Sequence, residues 1–158
     1  MAHITIEYMI MIPVLILQIF LFPLTATMIM DNWADSRRAM ELEQVAGHLS
    51  STIQQLYYSV YHASMANGFM TVNLDIPETI DQHPYVIMLG NVTQQETSYR
   101  LMNVTLRFVD DEIFCSTMVT LGGNVEWQNN VSLNSISPDL SLTAYKTPSK
   151  IQLVLEEN

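Results

Sequence analysis

One cysteine, Cys115, stands in the whole chain, so an internal disulfide and a cysteine-built zinc site are both excluded. This leaves the compartment open, because secreted domains of this size fold without bridges. Positive charge is equally scarce: 6 Lys and Arg face 16 Asp and Glu, for a formal net charge of −10. No Lys/Arg cluster offsets that balance, and an acidic surface repels phosphate backbones, which excludes nucleic acid as a partner. The motifs of familiar enzymes are missing too. There is no G-x-S-x-G, no Walker-type loop and no H-E-x-x-H. Internal repeats and low-complexity segments are absent. The last absence is local: between Tyr8 and Met30 there is no charged residue.

That uncharged run is the strongest signal present. At ~1.5 Å rise per residue it makes a helix of about 34 Å, enough to cross a bilayer. It lacks the basic start and A-x-A-like exit of a secretory signal, and its core exceeds the usual length, so a retained helix is expected. Pro13 and Pro23 loosen such a helix, which membrane segments tolerate. Tyr8 and Trp33 flank the run as an aromatic belt would. The nearest cations, Arg37 and Arg38, follow it; the positive-inside rule taken literally puts that side in the cytoplasm.

The chain does not break after Met30. From Asp31 to Ala66 there is no proline, and apolar residues recur at Leu42, Val45, Leu49, Ile53, Leu56 and Val60. This alternation of three and four predicts one buried stripe, closed by Asn67-Gly68. One helix of about 60 residues follows, apolar all round first and amphipathic later. Residues 1–30 are expected to form the membrane or filament-core helix, and residues 31–158 the amphipathic half plus a β domain.

From Phe69 the texture becomes short β-type runs: Phe69–Leu74, Tyr85–Leu89, Tyr99–Phe108, Glu112–Leu121, Asn124–Leu133, Ser141–Ala144 and Lys150–Leu155. Turn formers separate them, including Asp75-Ile-Pro77, Gly90-Asn91, Asp110-Asp111 and Gly122-Gly123. Short turns predict an antiparallel meander. Alternation puts Met102, Val104, Leu106 and Phe108 on one face, with Asn103, Thr105 and Arg107 on the other. The fold class is therefore α+β: a long N-terminal helix, hydrophobic then amphipathic, packed on an antiparallel β-sheet domain.

Catalytic constellations do not emerge. Asp110-Asp111-Glu112 lacks the spacing of a calcium loop and reads as a solvated turn. His48 and His62 stand about 21 Å apart along a helix, too far to share a metal. Cys115 falls on an apolar strand face and reads as core. Neither enzymatic activity nor a metal or cofactor is expected.

His3-Ile4-Thr5-Ile6-Glu7-Tyr8 followed by the apolar run resembles the start of archaeal type IV pilins and pilin-like proteins, which carry a class III signal sequence. Thr71-Val-Asn-Leu-Asp-Ile-Pro-Glu-Thr-Ile80, followed by Tyr85-Val-Ile-Met-Leu89, resembles the first strand pair of their ectodomains. The resemblance implies cleavage between Ala2 and His3 by a prepilin peptidase, with Glu7 as the fifth mature residue. It further implies an assembly ATPase, a membrane platform protein, membrane lipid before assembly, and sister pilin subunits in a homo-oligomeric surface filament. The implied role of Glu7 is to meet a neighbour's free amino terminus and set register, because a misaligned subunit would leave that charge buried alone. On the residues alone, Glu7 also reads as an interfacial carboxylate favoured by the helix dipole.

Three sequons, at Asn91, Asn103 and Asn130, are a small excess over chance for this composition. Asn103 and Asn130 fall on expected wet faces and Asn91 in an expected turn, where glycans must sit. The expected function is thus a structural subunit of a cell-surface filament, a glycoprotein suited to adhesion. The alternative is a monomeric single-pass membrane protein whose extracytoplasmic β-domain binds a ligand or partner.

Overall fold

The computed structural model describes residues 2–62, 67–92, 99–127, 131–137 and 140–157, with side chains described except at 2–8, 10, 91, 92, 131 and 157. The first element is one helix, α1, Ala2–His62. Among the described residues nine strands follow: β1 Gly68–Asn73, β2 Thr79–Ile80, β3 His83–Val92, β4 Tyr99–Phe108, β5 Phe114–Gly122, β6 Val125–Trp127, β7 Val131–Asn134, β8 Leu140–Lys146 and β9 Ile151–Glu157. Helix packed on largely antiparallel sheet is an α+β layout, as the two periodicities predict. The chain divides into two compact units, Met1–Arg37 and Arg38–Asn158.

In the second unit the strands form two sheets rather than one meander. One runs β1-β8-β9-β6; the other runs β2-β3-β4-β5, with β7 also paired to β3. The run Asn124–Leu133, expected as a single strand, is divided between them. Its first part, β6, pairs with β9 and does so in parallel, while β7 pairs antiparallel with β3. Alternation alone cannot reveal this, because either half keeps an apolar face whichever sheet it joins. Local bonds fasten the parallel pair: Ile151 N donates to Asn124 O at 2.9 Å, and Lys150 Nζ pairs with Glu126 Oε1. The hydrogen bond from Lys150 holds the Glu126 carboxyl below the usual carboxylate range.

The stretch likened to a first strand pair is divided: its first part belongs to β1, and only its last two residues, β2, pair with β3. β1 joins β8, whereas β3 is bonded to β2, β4 and β7. Two residues of that stretch, Thr79-Ile80, form β2 and turn into β3 through Asp81 (φ 50°) and Gln82 (φ 67°). Positive φ at both central residues is what a two-residue type I′ hairpin requires.

The core belongs to the amphipathic half of α1. Leu42, Ala46, Leu49 and Ile53 are fully buried, with Leu56, Tyr57 and Val60 nearly so, and Val45 packs against them half-buried. Inward residues of both sheets join the same apolar cluster: Tyr85, Ile87 and Leu89 of β3, Met102, Val104, Leu106 and Phe108 of β4, Leu142 and Ala144 of β8, and Leu153 of β9. Truncating any one fully buried Leu or Ile to Ala costs about 2–5 kcal/mol.

Three polar devices fasten α1 to the strands. Arg38 reaches the β2–β3 turn at Asp81. Tyr57 Oη and Asn124 Oδ1, in the β5–β6 turn, lie 3.2 Å apart in a hydrogen bond. Lys146 Nζ, at the end of β8, donates to the carbonyls of Val60 (2.8 Å) and Tyr61 (3.2 Å). The Lys146 contacts reach carbonyls in the last described turn of α1 and put a cation at the negative end of its dipole.

Candidate functional site

The segment that stands out is the apolar half of α1. Its large side chains are exposed without exception from Met11 to Met30; Phe20 is 73% exposed and Phe22 77%. By length and composition this helix is able to cross a membrane, and none of its most apolar stretch is buried against the protein. A soluble domain rarely shows a contiguous apolar patch of this extent. Exposure of this extent marks the apolar half as an interaction surface.

Local hydrogen bonding fits an apolar surrounding. Thr25 Oγ1 donates to the carbonyls of Leu21 (3.0 Å) and Phe22 (2.9 Å), and Thr27 Oγ1 to those of Pro23 (3.1 Å) and Leu24 (2.9 Å). Both hydroxyls are satisfied by their own helix, so neither needs water. Pro13 and Pro23 lie inside the helix. Pro23 withholds the N–H that would otherwise reach the carbonyl of Ile19, four residues earlier. Beside it, Leu15, Gln18, Ile19, Leu21, Phe22, Pro23 and Thr25 border an apolar groove of about 570 Å³.

The backbone of Ala2, His3 and Glu7 lies in the first turns of α1. Their side chains fall outside the described residues, as does Asn130. Asn91 is not in a turn: it lies within β3, paired with Met102 of β4. β3 runs on to Val92, so Gly90-Asn91 ends no strand. Asn103 lies in β4 on the face away from the core, half-buried, and its Oδ1 accepts from Ser116 Oγ at 2.5 Å.

The remaining residues of interest have structural surroundings. Asp111 Oδ1 accepts from the backbone of Glu112 at 2.7 Å, and Asp111 Oδ2 lies 3.9 Å from Arg38 Nη1. Cys115 is half-buried; burial, and secondarily the nearby Glu43 carboxylate, push its thiol up. It is therefore a poor nucleophile at neutral pH. Among the described residues, no three His, Cys, Asp or Glu side chains gather as a metal site would need.

Arg38 is the residue whose part was least visible in the chain. Read beside an apolar run, it is a membrane-flanking cation; in three dimensions it holds two turns of the β-domain. Gln18 was visible, as the one amide in the uncharged run, but periodicity gave it no role. Comparison with known proteins adds nothing to these readings: no protein-family model, no curated protein and no solved structure matches the chain.

Proposed function

We propose that this chain is a structural subunit of a type IV pilus-like surface filament, anchored in the membrane by the first half of α1 until assembly. One observation carries the reading: a single helix whose second half is the core of a β-domain and whose large apolar side chains from Met11 to Met30 are all exposed. Such a helix has two environments available, lipid before assembly and the apolar helices of sister subunits afterwards. The resemblance of His3–Tyr8 to the pilin N-terminus supplies the rest: processing between Ala2 and His3, Glu7 as the register-setting carboxylate, and export by an ATPase and platform protein. In this reading the β-domain faces outward, where it serves adhesion, and the sequons at Asn91, Asn103 and Asn130 are glycan acceptors. The positive-inside objection loses weight, since Arg38 is engaged by Asp81 and Asp111.

The test is assembly in the native cell. The mature chain is expected to begin at His3 on N-terminal sequencing. Glu7→Ala is expected to insert normally and to give no filaments. An intact Met1 together with undiminished filament yield in Glu7→Ala would sink the proposal. An intact Met1 with no filaments at all favours the single-pass alternative, in which the β-domain binds a partner at the cell surface.

A further inference from the structure

We propose that the Gln18 amide is the contact through which two copies of this chain pair side by side in the bilayer, each amide donating to the other's oxygen. The inference rests on the membrane-anchored reading above and adds a lateral pairing step before assembly. After Tyr8, the uncharged run holds three hydrogen-bonding side chains: Gln18, Thr25 and Thr27. Both threonines are closed onto their own helix. Gln18 is exposed, and its amide reaches no partner among the described residues.

Depth decides what can satisfy it. Gln18 lies about 15 Å along the helix from Tyr8 and about 18 Å from Met30, the middle of a hydrocarbon core of about 30 Å. Acyl chains offer neither donor nor acceptor there, and a glutamine side chain is too short to reach either interface. An amide is its own complement, with two donors and one oxygen. Because insertion gives every copy one orientation, a second copy brings its Gln18 to the same depth.

The surrounding face suits that occupant. Met11, Leu15, Gln18, Phe22, Thr25 and Ile29 recur at alternating spacings of four and three, the seam of two parallel helices wound about each other. A single polar position on such a seam sets register. The groove beside Gln18, about 570 Å³, gives a neighbouring side chain room to enter.

The experiment uses the full-length chain, labelled at its C-terminus with donor or acceptor dye, in phosphatidylcholine vesicles that contain no assembly machinery. Energy transfer is followed as lipid dilutes the protein. Wild type is expected to pair, Gln18→Asn to keep most of that pairing, and Gln18→Leu to lower the association constant about tenfold. Flotation with the vesicles checks that Gln18→Leu still inserts. Transfer no greater than random proximity in wild type, or equal transfer in Gln18→Leu, overturns the proposal. Glu7→Ala is expected to pair like wild type. Filament loss in that variant bears only on the filament reading, so the two ideas fail separately.

Discussion

Arg38 Nε donates to Asp81 Oδ2 at 3.1 Å, and Asp81 is one of two non-glycine residues held at positive φ among the described residues. The same guanidinium lies 3.9 Å from Asp111 Oδ2 in the turn after β4. One helix side chain thus ties two β-turns that are 30 residues apart in sequence. It does so beside a backbone conformation that Asp tolerates better than most residues.

The pair is partly exposed, which keeps its contribution small. Asp81→Asn retains a side chain suited to the left-handed region and removes only the charge. It is expected to lose about 0.5–1 kcal/mol by urea unfolding, and a double-mutant cycle with Arg38→Ala is expected to show coupling of similar size. Zero coupling would mean that the two side chains are merely neighbours.

Gly122 lies against the Tyr57 side chain of the helix. A Cβ built there would lie 2.1 Å from Tyr57 Oη, 2.8 Å from Asn124 Oδ1 and 3.1 Å from Tyr57 Cζ. Tyr57 is 5% exposed and stacks on Tyr61 with ring centroids 5.7 Å apart, so it has little freedom to retreat. Gly122→Ala is expected to destabilise by about 1–3 kcal/mol. Adding Tyr57→Phe, which removes the clashing oxygen, should recover part of that loss in thermal unfolding. Failure to recover any of it would place the strain elsewhere.

Trp127 carries a buried polar atom with no partner among the described residues. The residue is 8% exposed, and its Nε1 has no hydrogen-bond partner among the described residues. An orphaned buried donor costs about 1–3 kcal/mol, whereas losing part of a bicyclic ring also costs packing. The two nearly cancel for Trp127→Phe, which is expected to stay within about 1 kcal/mol of wild type. Trp127→Ala, which forfeits the whole ring, is expected to lose about 3–5 kcal/mol. Equal losses in the two variants would contradict the assignment.

Tyr85 governs the alkaline limit. It is fully buried, its Oη donates to the carbonyl of Pro77 at 2.6 Å, and burial pushes its pKa well above the ordinary 10.0. The folded state therefore holds the phenol proton more tightly than the unfolded chain. That contribution is fully present below pH 10 and is lost as pH rises through the raised folded value. Wild type should lose stability above pH 10 more steeply than Tyr85→Phe, which at neutral pH gives up only the Pro77 bond, about 1 kcal/mol. Parallel curves in alkaline unfolding would refute this.

What the chain determined by itself is local in its physics. An uncharged run sets a long apolar helix; the spacing of Leu42, Leu49, Ile53 and Val60 sets its buried stripe; alternation in Tyr99–Phe108 sets which side of β4 is dry. Each follows from side chains a few residues apart, whose directions are fixed by 3.6- and 2-residue periods. Pairing is another matter. The backbone groups that join strands are the same at every residue, so the pattern of Val125 and Trp127 tells that β6 has an inside but not that its neighbour is β9, running parallel. The same holds for the partner of Arg38, the closeness of Tyr57 to Gly122, and Asn91 lying inside β3. These depend on residues brought together from far along the chain, and only the folded packing of both sheets on one helix face decides them.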